Sequence, residues 1–77
     1  IQIDISRQDV ISWNGQPVTL AELDRLMLRV AQETVQTEVH VRADAKSRYA
    51  LFAAVLASSR RAGVGKLAVM GNESLGG

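Results

Sequence analysis

The side chains that could do chemistry in this chain are few and isolated. His40 is the only histidine, and there is no cysteine. A metal site or a general base needs further ligands or an orienting partner, and no second histidine or cysteine stands near His40, which therefore reads as a solvated strand histidine. Asp44 falls where a strand ends. It could place a carboxylate at the mouth of a crevice of the kind where open α/β sheets bind ligands; the simpler reading is a turn residue that satisfies loop N–H groups. Ser58 and Ser59 have no base within reach by spacing and read as packing or surface serines. Gly63 and Gly65 bracket Val64 without any GxGxxG or GxxxxGK pattern, so they read as a helix stop and a strand entry. Arg60 and Arg61 read as a solvated helix end rather than an anion site, and Trp13, beside a turn, as a packer at the edge of the core. No residue is assigned a catalytic, cofactor-binding or metal-binding role.

The elements that position these residues follow from periodicity. Ile1, Ile3 and Ile5 alternate with Gln2, Asp4 and Ser6, the period of two of a strand with one buried face. Arg7 to Asp9 turns the chain into a second strand, Val10 to Trp13, closed by Asn14-Gly15, and the two predict an antiparallel hairpin. Thr19 and Glu22 have capping-box spacing, and behind them Leu20, Leu23, Met27 and Val30 form one helical stripe, predicting a helix over about 19–33. Val39, Val41 and Ala43 alternate with His40, Arg42 and Asp44 as a third strand. Ser47 is the expected cap of a second helix running to about Ala62, its face formed by Phe52, Val55, Leu56 and Ser59, with Gly63 as its C-terminal stop. Leu67 and Val69, alternating with Lys66, Ala68 and Met70, form a fourth strand. The strand–helix–strand unit from Val39 to Met70 requires two parallel strands with a right-handed crossover.

The expected fold is α+β, in the order β-β-α-β-α-β. It has a mixed four-stranded sheet, both helices on one face, and a solvated face carrying Gln2, Asp4, Ser6, His40, Arg42 and Lys66. Such a sheet has two edges that recruit strands unless protected, and Ile1–Ser6 and Leu67–Met70 are the expected edges. The 77 residues allow one domain, expected over 1–73 with a frayed tail at 74–77. Lys and Arg are spread along a chain of net charge +1, with only three aromatic residues, which argues against a nucleic-acid surface. The first residue, Ile1, opens in mid-strand, so the chain reads as a piece of a longer protein.

The run Val39-His40-Val41-Arg42-Ala43-Asp44, Tyr49 five residues on, then Ala62-Gly63 and Lys66-Leu67-Ala68-Val69-Met70-Gly71-Asn72-Glu73 resembles the periplasmic domain of the ExbD/TolR family. Asn14-Gly15-Gln16-Pro17-Val18 and the Leu20/Leu23 helix fit more loosely. The resemblance covers nearly the whole chain, and its specific part is Val41 to Glu73. The R-A-D start and M-G-N-E end are more similar to ExbD than to TolR.

The resemblance implies a periplasmic, non-enzymatic domain without cofactors, belonging to a single-pass inner-membrane protein of a Gram-negative bacterium. Its missing transmembrane helix would carry a proton-relaying Asp inside a ring of ExbB-like subunits. That motor would pass proton-motive force through a TonB-like protein to outer-membrane transporters for siderophores, haem or cobalamin. The domain itself would form a homodimer and contact the TonB-like protein, or peptidoglycan in TolR-like members. The family position tied to function in the last strand falls on Val69, where ExbD proteins often have Leu. The contact residues expected are Leu67, Val69, Met70, Ile3 and Ile5. Asp44 and Tyr49, which match the family's A-D-x(4)-Y pattern, and Gly63 are expected to be structural. A reading from another class, a small regulatory or catalytic domain, would use a crevice near Asp44 and Gly71.

Overall fold

The computed structural model describes residues 1–70. In chain order it has β1 (Gln2–Ile5), β2 (Ile11–Trp13), β3 (Gln16–Val18), α1 (Leu20–Ala31), β4 (Val39–Ala43), α2 (Tyr49–Ala62) and β5 (Leu67–Val69). The strands form one mixed sheet in the order β3-β2-β1-β4-β5. β1 pairs antiparallel with β2 and parallel with β4, β3 pairs antiparallel with β2, and β5 parallel with β4. The strand–helix–strand unit is parallel, as its sequence requires. No helix among the described residues is long and apolar enough to cross a membrane.

Two expectations about the sheet are corrected. The sheet has five strands, because Gln16–Val18 pairs with β2. Pro17 and a length of three residues hid it, since proline argues against a strand unless the strand lies at an edge. Asn14 and Gly15 both have positive φ, at 48° and 89°, which is the two-residue turn whose twist suits a hairpin. They join β2 to β3 rather than ending the sheet. The second correction concerns Ile1–Ser6. β1 lies between β2 and β4, so it is the central strand, and Ile3 and Ile5 are core residues without meaningful exposure.

Register explains which face is buried. Ile3 sits opposite both Trp13 and Val41, and Ile5 opposite Ile11 and Ala43. These residues share one face of the pleat, and Ile3, Ile5, Ile11, Val39 and Val41 form the buried cluster with Leu23, Met27 and Val30 of α1 and Val55 of α2. The opposite face carries Gln2, Asp4, Ser12, His40 and Arg42, where Arg42 Nε meets Asp4 Oδ1 at 3.3 Å across the β1–β4 ladder. One face is therefore covered by both helices and the other is solvated.

Local chemistry fixes the helix ends. The Thr19 hydroxyl accepts the Glu22 N–H (3.1 Å), and the Glu22 carboxylate accepts the Thr19 N–H (2.8 Å), so the capping box forms. α2 begins one residue later than expected, with Arg48 rather than Ser47 at its cap position. The Arg48 N–H is satisfied from outside the helix, by Asp9 Oδ1 of the β1–β2 turn at 2.9 Å, and Ser47 instead donates its hydroxyl to the Asp44 carbonyl (2.7 Å). Gly63 ends α2 at φ +85°, and Val64 N–H returns to the Ser59 carbonyl at 3.0 Å.

The two helices are joined by a polar clasp. Ser58, only 1% exposed, donates its hydroxyl to Asp24 Oδ1, which also accepts Arg61 Nη2 at 3.1 Å. The Ser59 hydroxyl is satisfied locally by the Leu56 carbonyl at 2.7 Å. Replacing Asp24 with Ala strands the buried Ser58 donor, and such a loss costs about 1–3 kcal/mol. Urea unfolding should show a lower midpoint for Asp24→Ala at unchanged slope. Adding Ser58→Ala to that variant should restore part of the loss, because no buried donor is then left unpaired.

Candidate functional site

The sheet has two edges, and their chemistry differs. β3 carries Pro17, which withholds one backbone donor from any added strand. β5 carries no such block. Its backbone direction follows from its bonds to β4: Lys66 O accepts the Val39 N–H at 2.9 Å, and Met70 N–H donates to Val41 O at 2.8 Å. Polar groups of alternate strand residues point to opposite sides in the plane of the sheet. Residues 66, 68 and 70 therefore face β4, while the N–H and C=O of Leu67 and Val69 face outward. Leu67 packs against the core cluster. Val69, on the same face of the pleat, is 53% exposed, and Met70 is 42% exposed. Among the described residues, this edge thus combines unused backbone groups with uncovered apolar side chains. That combination suits strand addition, in which main-chain bonds supply affinity and alternate side chains supply selectivity.

The structure brings Leu67, Val69 and Met70 together along this edge. Ile3 and Ile5 lie two strands away, inside the core. Asp44 is a turn residue: its carboxylate accepts the Lys46 N–H at 2.8 Å, and its own N–H donates to the Ile5 carbonyl at 2.9 Å. Tyr49 is 78% exposed, its ring centroid 6.1 Å from that of Phe52. Trp13 is half-buried against the core. Gly71, Asn72 and Glu73 of the M-G-N-E ending lie outside the described residues, as does the expected tail. Among the described residues, no three His, Cys, Asp or Glu side chains are placed to share a metal ion.

His40 has a partner two residues back along the chain, which the period of two could have pointed to. Its Nε2 lies 2.5 Å from Glu38 Oε1, because residues two apart share one side of an extended chain. His40 stands opposite Ala68 of β5, so this pair borders the free edge. The hydrogen bond from His40, and then its charge, hold the Glu38 carboxyl below its ordinary value of 4.5, with Lys66 adding a smaller pull. A carboxylate depressed in the folded state stabilises above its unfolded value and loses that contribution as pH falls through its folded value. The stability of the wild type and of Glu38→Gln should therefore differ at neutral pH and converge below pH 4.5. Urea midpoints measured across that range read this directly, and a constant gap down to the acid limit would contradict the assignment.

A family model described as "Biopolymer transport protein ExbD/TolR" matches residues 1–73, which takes in every element of the fold and the whole of the β5 edge. Comparison with curated proteins found no match. With the family pattern extending across both halves of the sheet, the chain belongs to the ExbD/TolR family of biopolymer transport proteins.

Proposed function

We propose that this chain is the periplasmic coupling domain of an ExbD-type subunit in a proton-motive-force-driven motor that energises TonB-dependent uptake of siderophores, haem or cobalamin. Membership of the ExbD/TolR family supports a part in biopolymer transport. In this reading the domain works as a homodimer held in the periplasm by a transmembrane helix. ExbB-like subunits grip that helix, proton transfer takes place on it, and the domain performs no catalysis. Its task is mechanical: it takes an extended segment of a TonB-like protein along β5 and moves with it.

The observation that carries this reading is the pairing of outward backbone groups at Leu67 and Val69 with the half-exposed side chain of Val69. An added strand would bond to both residues and cover Val69 with its own apolar side chain. Burial of a valine contributes roughly 1.5–3 kcal/mol when complete, and each net backbone bond about 0.5–1.5 kcal/mol.

The direction of the backbone gives a sharp test. Proline at 69 deletes an outward N–H and leaves the β4 ladder intact, whereas proline at 68 would break that ladder. Titration of labelled protein with the periplasmic linker of its TonB-like partner should shift the amides of Leu67 to Met70 and of neighbouring β4. Val69→Pro should weaken this binding by roughly tenfold, the equivalent of about one backbone bond and some packing, with far-UV dichroism unchanged. Unaltered binding by Val69→Pro, or shifts centred on β3, would refute strand addition at β5. Retention on purified sacculi without a response to the linker would assign the domain to TolR-type peptidoglycan anchoring instead.

A further inference from the structure

The β5 edge is bordered by a flank of α2 that the backbone argument leaves out. α2 meets α1 through Ser58 and Arg61, which reach Asp24, and through Leu51 and Ala54, which line one groove with Leu20. At 3.6 residues per turn, Tyr49, Phe52 and Leu56 fall on the opposite flank of the helix. α2 crosses between β4 and β5, the last two strands of the sheet, with α1 on its inner side. The flank carrying Tyr49, Phe52 and Leu56 is therefore the one on the side of the β5 edge.

Coverage by α2 stops short at one corner of the sheet. Val41 and Val69 stand opposite each other and share a face of the pleat, yet Val41 is fully buried while Val69 is more than half exposed. Leu67, on the same face two residues earlier, packs against the core. As the crossover between two parallel strands, α2 runs back against them. Its first turn, with Tyr49 and Phe52, thus stands at the Val69 end of the edge, and Leu56 stands one turn closer to the Leu67 end. Tyr49 is mostly exposed, with its ring beside that of Phe52, and Phe52 and Leu56 are half-buried. Apolar surface is left uncovered on α2 and on β5 at the same end and on the same side of the sheet.

The backbone of the edge decides what can cover this corner. The outward N–H and C=O of Leu67 and Val69 are matched by a strand lying about 4.8 Å further out. Such a strand sends alternate side chains toward α2 and toward the solvated face, and those opposite Leu67 and Val69 point toward α2. From the register and the position of the flank together, we infer that Tyr49, Phe52 and Leu56 select the side chains of the strand that β5 takes. The segment admitted alternates apolar residues toward α2 with polar residues toward the solvated face. Its largest apolar side chain lies opposite Val69, beside the Tyr49–Phe52 ring pair. The inference rests on strand addition at β5 and adds to it the chemistry of the segment.

The test is an amide-shift titration with two capped peptides of equal length, each flanked by lysine for solubility. One alternates threonine with leucine and the other threonine with serine, so both offer the same backbone to β5. The leucine peptide should shift Leu67 to Met70 together with Tyr49, Phe52 and Leu56, and should bind at least roughly tenfold more tightly than the serine peptide, the worth of covering one aliphatic side chain. Tyr49→Ser, a change at an exposed position, should cut that advantage several-fold and leave the affinity for the serine peptide unchanged. Equal binding of the two peptides, or an advantage that Tyr49→Ser leaves intact, would overturn selection by α2 while strand addition stands. No shift at Leu67 to Met70 with either peptide would overturn strand addition itself, and the inference with it.

Discussion

The parallel ladder between β1 and β4 is the constraint on which the rest of the architecture depends. It sets Ile3 against Val41 and Ile5 against Ala43, joining the N-terminal hairpin to the strand–helix–strand unit in one sheet. It is tied at both ends, by His40 N–H to the Ile1 carbonyl at 2.8 Å and Asp44 N–H to the Ile5 carbonyl at 2.9 Å. With β1 in the centre, one hairpin must continue outward on one side and β5 on the other. Among the described residues, the sheet thus has one edge blunted by proline and one left open. A slip of one residue in this ladder would turn every apolar side chain of β1 toward water, so the buried isoleucines fix the register and, through it, the position of the free edge.

Around that ladder the helices are held by a few specific polar contacts laid over an apolar seam. Asp24 collects Ser58 and Arg61 from α2, and Asp9 reaches from the β1–β2 turn to the start of the same helix. In a domain of this size, which buries only about 60% of its unfolded surface, such ties matter for keeping the sheet and helices a single rigid unit. A body that transmits force through an edge strand needs that rigidity. In the proposed role, a pull on β5 would pass by the parallel ladder to β4 and β1 and be resisted by a core that has no buried side-chain polar atom without a partner among the described residues.

Features with a local period were legible in the sequence. The capping box of α1, its buried Leu23, Met27 and Val30, the alternation of β1 and β4, and Gly63 at the end of α2 each depend on neighbours within one or two turns and stand where their patterns place them, whereas Leu20, expected on the same stripe, is 41% exposed. Features set by contact between distant segments were not. The central place of β1 depends on pairing across 38 residues between Gln2 and His40, for which the alternation of isoleucines gives no address. Pro17 concealed β3 because an edge position, which makes proline acceptable, is itself a property of the finished sheet. Ser58, read as inert, carries the clasp through Asp24, 34 residues away. At the candidate site the apolar character of Leu67, Val69 and Met70 was plain, while the direction of their backbone groups emerged only from the ladder with β4.

The central claim is that Leu67 and Val69 offer outward backbone groups on an open edge, and amide hydrogen exchange reads it residue by residue. In protein dilute enough to be monomeric by sedimentation, the amides of Ala68 and Met70 should be protected, and those of Leu67 and Val69 should exchange near the rate of free chain. Adding the periplasmic linker of the TonB-like partner should slow exchange at Leu67 and Val69 and leave Ala68 and Met70 as they were. Equal protection of all four amides in the free monomer, or exchange at Leu67 and Val69 that saturating linker does not slow, would contradict the account.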